Sequence, residues 1–263
     1  DHIRNGVNRV IAEKLGLANT HILSPKKNLL RKLFTFVPVA NADEVRNALF
    51  AAGAGDIGNY SECSFNVDGY GTFKGNDISN PTVGVKGIRH REDEVKVEVI
   101  LPAWREKNIV AALFDAHPYE EVAYDIVLLE NYFQNVGAGL VGELSVEMNE
   151  QDFLSLVSKN MKAEVIRHTE FLSQKISRVA VCGGAGSFLL KDAIASGAQA
   201  FITADFKYHQ FFDAEKKILI CDIGHYETEQ FTSQIFRDLL MINFPTFATL
   251  LSKTNTNPIK YFH

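Results

Sequence analysis

No run of eighteen apolar residues occurs in the 263-residue chain, so no segment is expected to span a bilayer. Cysteine is scarce: Cys63, Cys182 and Cys221 are far apart, with no C-x-x-C spacing. An odd number of isolated thiols gives no disulfide framework and fits a reduced, cytoplasmic protein. Cys182 and Cys221 lie in apolar runs and read as small core residues rather than nucleophiles. Clustered basic residues are also missing. The net charge is -5, with 27 Lys and Arg against 32 Asp and Glu, which argues against a phosphate-binding surface and a nucleic-acid partner. No secretory leader is visible, and the chain opens on Asp1 rather than Met, so its true start is expected upstream.

What is present is a large apolar complement, 46% of the residues, enough for one large domain or two of ordinary size. Apolar spacing predicts a first helix over residues 1–17, stopped by Gly16, with a connector at Ser24 to Lys27. From residue 31 the pattern becomes strand (31–39), helix (41–52), strand (60–67), turn (68–71), loop (75–81), short strand (83–88), charged turn (90–93), strand (95–101), helix (104–116) and strand (122–129). Simplified, this is β-α-β-β-α-β, the split arrangement of a ferredoxin-like α+β unit. His117-Pro118-Tyr119-Glu120-Glu121, before its last strand, reads as a Pro-initiated turn with a solvated acidic pair rather than a metal site. Gly137 to Gly142 reads as a hinge. A helix then starts at Met148 to Asp152, followed by regular α/β alternation: strands at 178–182, 200–203, 217–221 and 246–251, separated by helices. That alternation implies a partly parallel mixed sheet. The expected fold class is therefore a layered α/β core with an inserted ferredoxin-like domain. The segments are core residues 1–30, an insert over 31–130, and a second core segment over 131–263.

Polar residues gather where the core strands end, the usual ligand edge of an open α/β sheet. Gly183-Gly184-Ala185-Gly186-Ser187 follows the first strand. Free N–H groups there can hold an anion, with Gly184, Gly186 and Ser187 as substrate-binding candidates, or the turn simply lets a helix pack close. Asp205, Lys207 and His209 follow the second strand and suit substrate binding or proton transfer, although an isolated surface His is the commoner case. The third strand ends in Asp222-Ile223-Gly224-His225-Tyr226-Glu227-Thr228-Glu229. A tight glycine turn opens a helix on which His225 and Glu229, four apart, share a face. Nitrogen and oxygen donors side by side suit Zn, Mn or Fe, while a solvated first helical turn is the alternative.

Taken in order, Asp1 to Asn8, Gly183 to Ser187, Thr203-Ala204-Asp205-Phe206-Lys207-Tyr208-His209, Gly224 to Glu229 and Thr254-Asn255-Thr256-Asn257-Pro258 resemble the GTP cyclohydrolase 1 type 2 family of dinuclear metal proteins. The insert with His117 to Glu121 is similar to the trimer-forming PII signalling and copper-tolerance proteins. The resemblance implies two divalent metal ions, with Asp1, His225 and Glu229 among their ligands. It also implies a homo-oligomer, a toroidal hexamer, and a small-molecule substrate, a nucleotide. Hydrolysis would open the purine ring of GTP with release of formate, or cleave a phosphoester, with His209 as acid/base. A non-catalytic metal-binding regulatory assembly is the other expectation. The family's N-terminal His pair is not in this sequence, so an incomplete ligand set is expected here.

Overall fold

The protein is described from a computed structural model covering residue 3 and residues 5–262. In chain order the elements are α1 (Val7–Lys14), β1 (Leu17–Lys26), β2 (Leu30–Pro38), α2 (Ala42–Ala51), β3 (Ser64–Phe73), β4 (His90–Pro102), α3 (Glu106–Ala116), β5 (Tyr124–Leu129) and β6 (Phe133–Asn149). They continue with α4 (Glu150–Met161), β7 (Arg167–His168), β8 (Lys175–Ala185), α5 (Leu190–Ala195), β9 (Ala200–Ala204), β10 (Leu219–Asp222), α6 (His225–Glu229) and α7 (Thr232–Asn243). They fall into two compact units, residues 1–26 with 134–263, and residues 27–133.

The first unit is built on a six-stranded sheet of order β1-β6-β8-β9-β10-β7. The β8–β9 and β9–β10 pairs are parallel, and the β6–β8 and β10–β7 pairs antiparallel. This is the mixed, partly parallel sheet expected from the alternation of helices and short apolar strands. Successive strand residues point to opposite faces. Val179 and Val181 join Ile11 of α1 and Phe153 and Val157 of α4 on one side. Ala180 and Cys182 join Leu190 and Ala193 of α5 and Phe201 on the other. Asn149 caps α4, its side-chain oxygen accepting from the Asp152 N–H at 2.8 Å, one of the orphan donors of a helix start.

The second unit has a four-stranded antiparallel sheet of order β3-β4-β2-β5. With α2 after β2 and α3 after β4, this is the ferredoxin-like order. Leu33, Val37, Val97, Val99 and Leu101 face Val45 and Leu49 of α2 and Ile109 and Leu113 of α3. Fully burying each such side chain contributes on the order of 1.5–3 kcal/mol.

Several local expectations fail, for identifiable reasons. The first helix spans only Val7–Lys14, and Leu17–Lys26 is an edge strand rather than a lead-in to a connector. Ile22 is its one fully buried residue, so it shows little periodicity. Gly137 to Gly142 is no hinge but lies within β6. A Cβ on Gly137 would sit 2.3 Å from the Ser24 carbonyl oxygen, and one on Gly142 2.9 Å from that of Ala18. The glycines let β1 lie close. Likewise 68–71 is not a turn: Gly69 and Gly71 are inside β3, paired with Glu94 and Glu92. His90 to Asp93 begins β4, while 83–88 forms bends and turns with Val85 and Ile88 exposed. β4 already pairs β3 and β2, so it offers no edge to a further strand. Residues 246–251 form no strand, and Phe247 and Leu250 are exposed.

Candidate metal centre at the strand ends

The third strand ends as its residues dictate. β10 stops at Asp222, Gly224 takes φ +97°, a region that excludes most side chains, and α6 opens on His225. Asp222 is buried and anchors the turn. Its Oδ2 accepts from the Phe206 N–H at 2.9 Å and pairs with Arg167, and its Oδ1 accepts from the Gly224 N–H at 3.2 Å.

His225 lies between two carboxylates. Its Nδ1 is 2.6 Å from Asp205 Oδ2, and its Nε2 is 3.2 Å from Glu229 Oε2. Asp205 reaches the ring because it directly follows β9, the parallel neighbour of β10, in the left-handed conformation at φ +61°. The His225 and Asp205 side chains are each 49% exposed and that of Glu229 35%, so the cluster is open to solvent. The Asp205 bond, reinforced by the charges of Glu229 and Asp205, raises the His225 pKa above its ordinary value, against an opposing effect of burial.

The glycine turn after β8 meets this cluster. Gly184 has φ +65°, and a Cβ there would lie 2.7 Å from Glu229 Oε1 and 3.3 Å from His225 Nε2. The Gly184 N–H donates to Thr228 Oγ1 at 2.9 Å, the Gly183 N–H donates to Asn8 Oδ1 at 2.8 Å, and the Gly184 carbonyl accepts from Thr203 Oγ1 at 3.0 Å. Gly186 lies against Thr203, where a Cβ would be 2.3 Å from Oγ1, and Ser187 Oγ accepts from Gln210 at 3.2 Å. The turn's polar groups thus serve packing around His225 and Glu229. Cys182, beside this turn, has its pKa pushed up to about 11 by burial and by the Glu229 charge, which keeps it a thiol.

Among the candidate residues, His225, Glu229, Asp205 and Gly184 come together. His209 is exposed on the short 3-10 helix Tyr208–Ala214, with no hydrogen bond to another described residue. Asp1 lies outside the described residues. Thr228 and Thr203 were not singled out from the sequence. Thr228 is fully buried and ties the Gly184 N–H to the His225 carbonyl, to which it donates at 2.7 Å. Its place between His225 and Glu229 was the available signal. The side chain of Glu227 turns away to accept from Asn257 at 3.2 Å, docking the chain's Asn-Pro ending. Among the described residues no set of three or more His, Cys, Asp and Glu is arranged to hold a metal. With His225 Nδ1 committed to Asp205, the donors facing one another are Nε2 and Glu229.

Fold and site together define a layered α/β protein with an imidazole–carboxylate cluster at the carboxyl edge of its parallel strands. The chain belongs to the Duf34/NIF3 (NGG1p interacting factor 3) family, whose model matches residues 1–258. It is 40% identical over 227 residues to a GTP cyclohydrolase 1 type 2 homolog of Halalkalibacterium halodurans, covering 86% of this chain and 61% of that protein. The homolog from Bacillus subtilis is 36% identical over 261 residues, covering 97% of this chain and 70% of that protein. A Bacillus cereus protein related to NIF3 superposes with a TM-score of 0.86 at 35% identity, over all of this chain and 71% of that one. The chain thus spans from about three fifths to seven tenths of these proteins' length.

Proposed function

We propose that His225 and Glu229 are ligands of a divalent-metal centre and that the protein is a metal-dependent hydrolase of a nucleotide. One observation carries the reading. A carboxylate fixes one ring nitrogen of His225 while the other faces a second carboxylate at 3.2 Å. Two donors on one tetrahedral ion, at bond lengths near 2.1 Å, stand roughly 3.4 Å apart. A metal-bound His characteristically gives its other nitrogen to a carboxylate, as His225 does to Asp205. The donor set suits Zn, Mn or Fe. Two donors fall short of the usual three, so Asp1 and groups outside this stretch would complete a two-ion centre.

In this reading Asp205 sets the His225 tautomer, and Gly184 keeps the space beside the pair clear of a side chain. Gly186 and Ser187 border the substrate, and His209 moves a proton. The ions would supply Lewis acidity. The relatives' name supports GTP as substrate, with ring opening and formate release. Phosphoester cleavage uses the same centre. Assembly as a homo-hexamer belongs to the same proposal and is read by light scattering.

The test is turnover with added Mn, Zn or Fe(II), following formate from GTP and phosphate from a phosphoester panel. Release lost in His225→Ala supports the hydrolase. Metal binding with no turnover across the panel would leave the non-catalytic metal-binding reading in its place.

A further inference from the structure

We infer that the second unit carries a binding site for a small organic cation, against Glu94 on the open face of its sheet. The inference does not depend on the metal-centre reading. The helices α2 and α3 cover one face of this sheet. On the other face lies a cavity of about 750 Å³, within the usual range of small-molecule sites.

The sequence makes the space. Gly69, Gly71 and Phe73 alternate along β3 on the open face, so two successive positions carry no side chain. Glu94 of β4 is the cross-strand partner of Gly69. A Cβ on Gly71 would fall 2.2 Å from Glu94 Oε2, so glycine there gives the carboxylate its room. Phe73 and Tyr119 stand together at one wall, ring centroids 6.0 Å apart, with Phe36 on the floor. The 74–82 segment is pinned beside it: the Asn80 N–H donates to Glu120 Oε1 and Thr82 Oγ1 to the Pro118 carbonyl, both at 2.7 Å.

Glu94 is the reason to expect a cation. It is only 8% exposed. Among the described residues its one hydrogen-bond donor is Tyr119 Oη, at 2.9 Å, and no cation pairs with it. A carboxylate has about four acceptor sites, and Tyr119 fills one, so the others are open to a donor placed in the cavity. Two other buried carboxylates are better met: Glu150 accepts two backbone N–H groups, and Asp222 accepts two as well as Arg167. Burial, and after it the bond to Glu94 and the Glu94 charge, raise the Tyr119 pKa.

The lining has one dominant sign. Asp68, Glu94, Glu120 and Glu121 face Lys74 and Lys96, and Lys96 is held by Glu98 at 2.7 Å. An ammonium or guanidinium group on an apolar body fits this set. The charge would meet Glu94, and the rings of Phe36, Phe73 and Tyr119 would supply apolar contact and cation–π attraction.

The test uses three probes with one body and different charge: 2-phenylethylammonium, 2-phenylethanol and phenylacetate. Each is titrated into the ¹⁵N-labelled chain and followed by amide shifts. The ammonium is expected to perturb Gly69, Gly71 and Glu94. The alcohol should bind at least about ten-fold more weakly, because a charge-assisted bond is lost, and the carboxylate should not bind. Glu94→Gln keeps an acceptor for Tyr119 and should reduce the ammonium to the alcohol's affinity. Gly69→Val is a second variant. A Cβ at Gly69 meets nothing within 4 Å, so the variant should fold and fill the cavity, abolishing binding. Equal affinity for ammonium and alcohol, no shift at these amides, or undiminished binding in either folded variant overturns the inference.

Discussion

At the residue scale, two histidines show how partners decide protonation. His225 has a carboxylate on each side, so its ring is held ready to carry positive charge or to face a cation. Under the metal-centre proposal, Asp205→Asn should weaken Mn or Zn binding by roughly 10–100-fold, the usual cost of losing such a supporting carboxylate. Calorimetric titration checks this, and unchanged affinity would remove Asp205 from the centre. His117 is the opposite case. It is buried, its Nε2 donates to the Phe36 carbonyl at 3.0 Å, and its Nδ1 accepts from the Tyr119 N–H at 3.1 Å. A proton on Nδ1 would set N–H against N–H. Burial accordingly lowers its pKa, only partly offset by the Phe36 bond and the Glu94 charge. The unfolded chain therefore takes up this proton first as pH falls. The His117 contribution should cost stability as pH drops through about 6.5 and level off below the folded pKa. Urea midpoints measured between about pH 7.5 and about pH 5 should fall more steeply for the parent than for His117→Gln. Parallel curves would contradict this.

At the scale of elements, glycine carries much of the architecture, and it was the hardest residue to read. The strand–Gly–helix passage into His225 was legible because an apolar run, a glycine and a helical stripe follow one another. The ferredoxin-like order was legible for the same reason: β4 alternates cleanly from Val95 to Leu101. Gly137 to Gly142 look like a hinge and Gly69 to Gly71 like a turn in sequence, yet they sit in strands, and at Gly71, Gly137 and Gly142 a neighbouring carboxylate or backbone comes too close for a Cβ. Local pattern does not encode such cross-strand distances. Strands β1 and β7 lie at the sheet's edges, and edge strands carry weak burial patterns. The shared edge of Asp205 and His225 was legible, but their direct contact was not, since it depends on the register of the parallel β9–β10 pairing. Gly137→Val should therefore strain the β1–β6 contact and cost about 1–3 kcal/mol, the range for overpacking. Denaturant unfolding measures the loss, and hydrogen exchange should place the weakened protection in β1. A neutral effect would mean that β1 yields without penalty.

At the scale of the whole chain, α7 leaves an apolar stripe uncovered. Its apolar residues fall at helical spacing, yet Phe236, Leu239 and Leu240 are between 45% and 62% exposed and no residue of the helix is buried. Among the described residues no helix is long and apolar enough to cross a membrane, so this stripe does not mark a span. At the His225 cluster the described residues provide two facing donors, His225 Nε2 and Glu229, 3.2 Å apart. The most direct measurement is the metal content of the protein after equilibration with Mn or Zn, compared with His225→Ala, Glu229→Gln and His209→Ala. The first two variants are expected to lose bound metal, while His209→Ala retains it. Full metal content in folded His225→Ala and Glu229→Gln would contradict the metal-centre proposal.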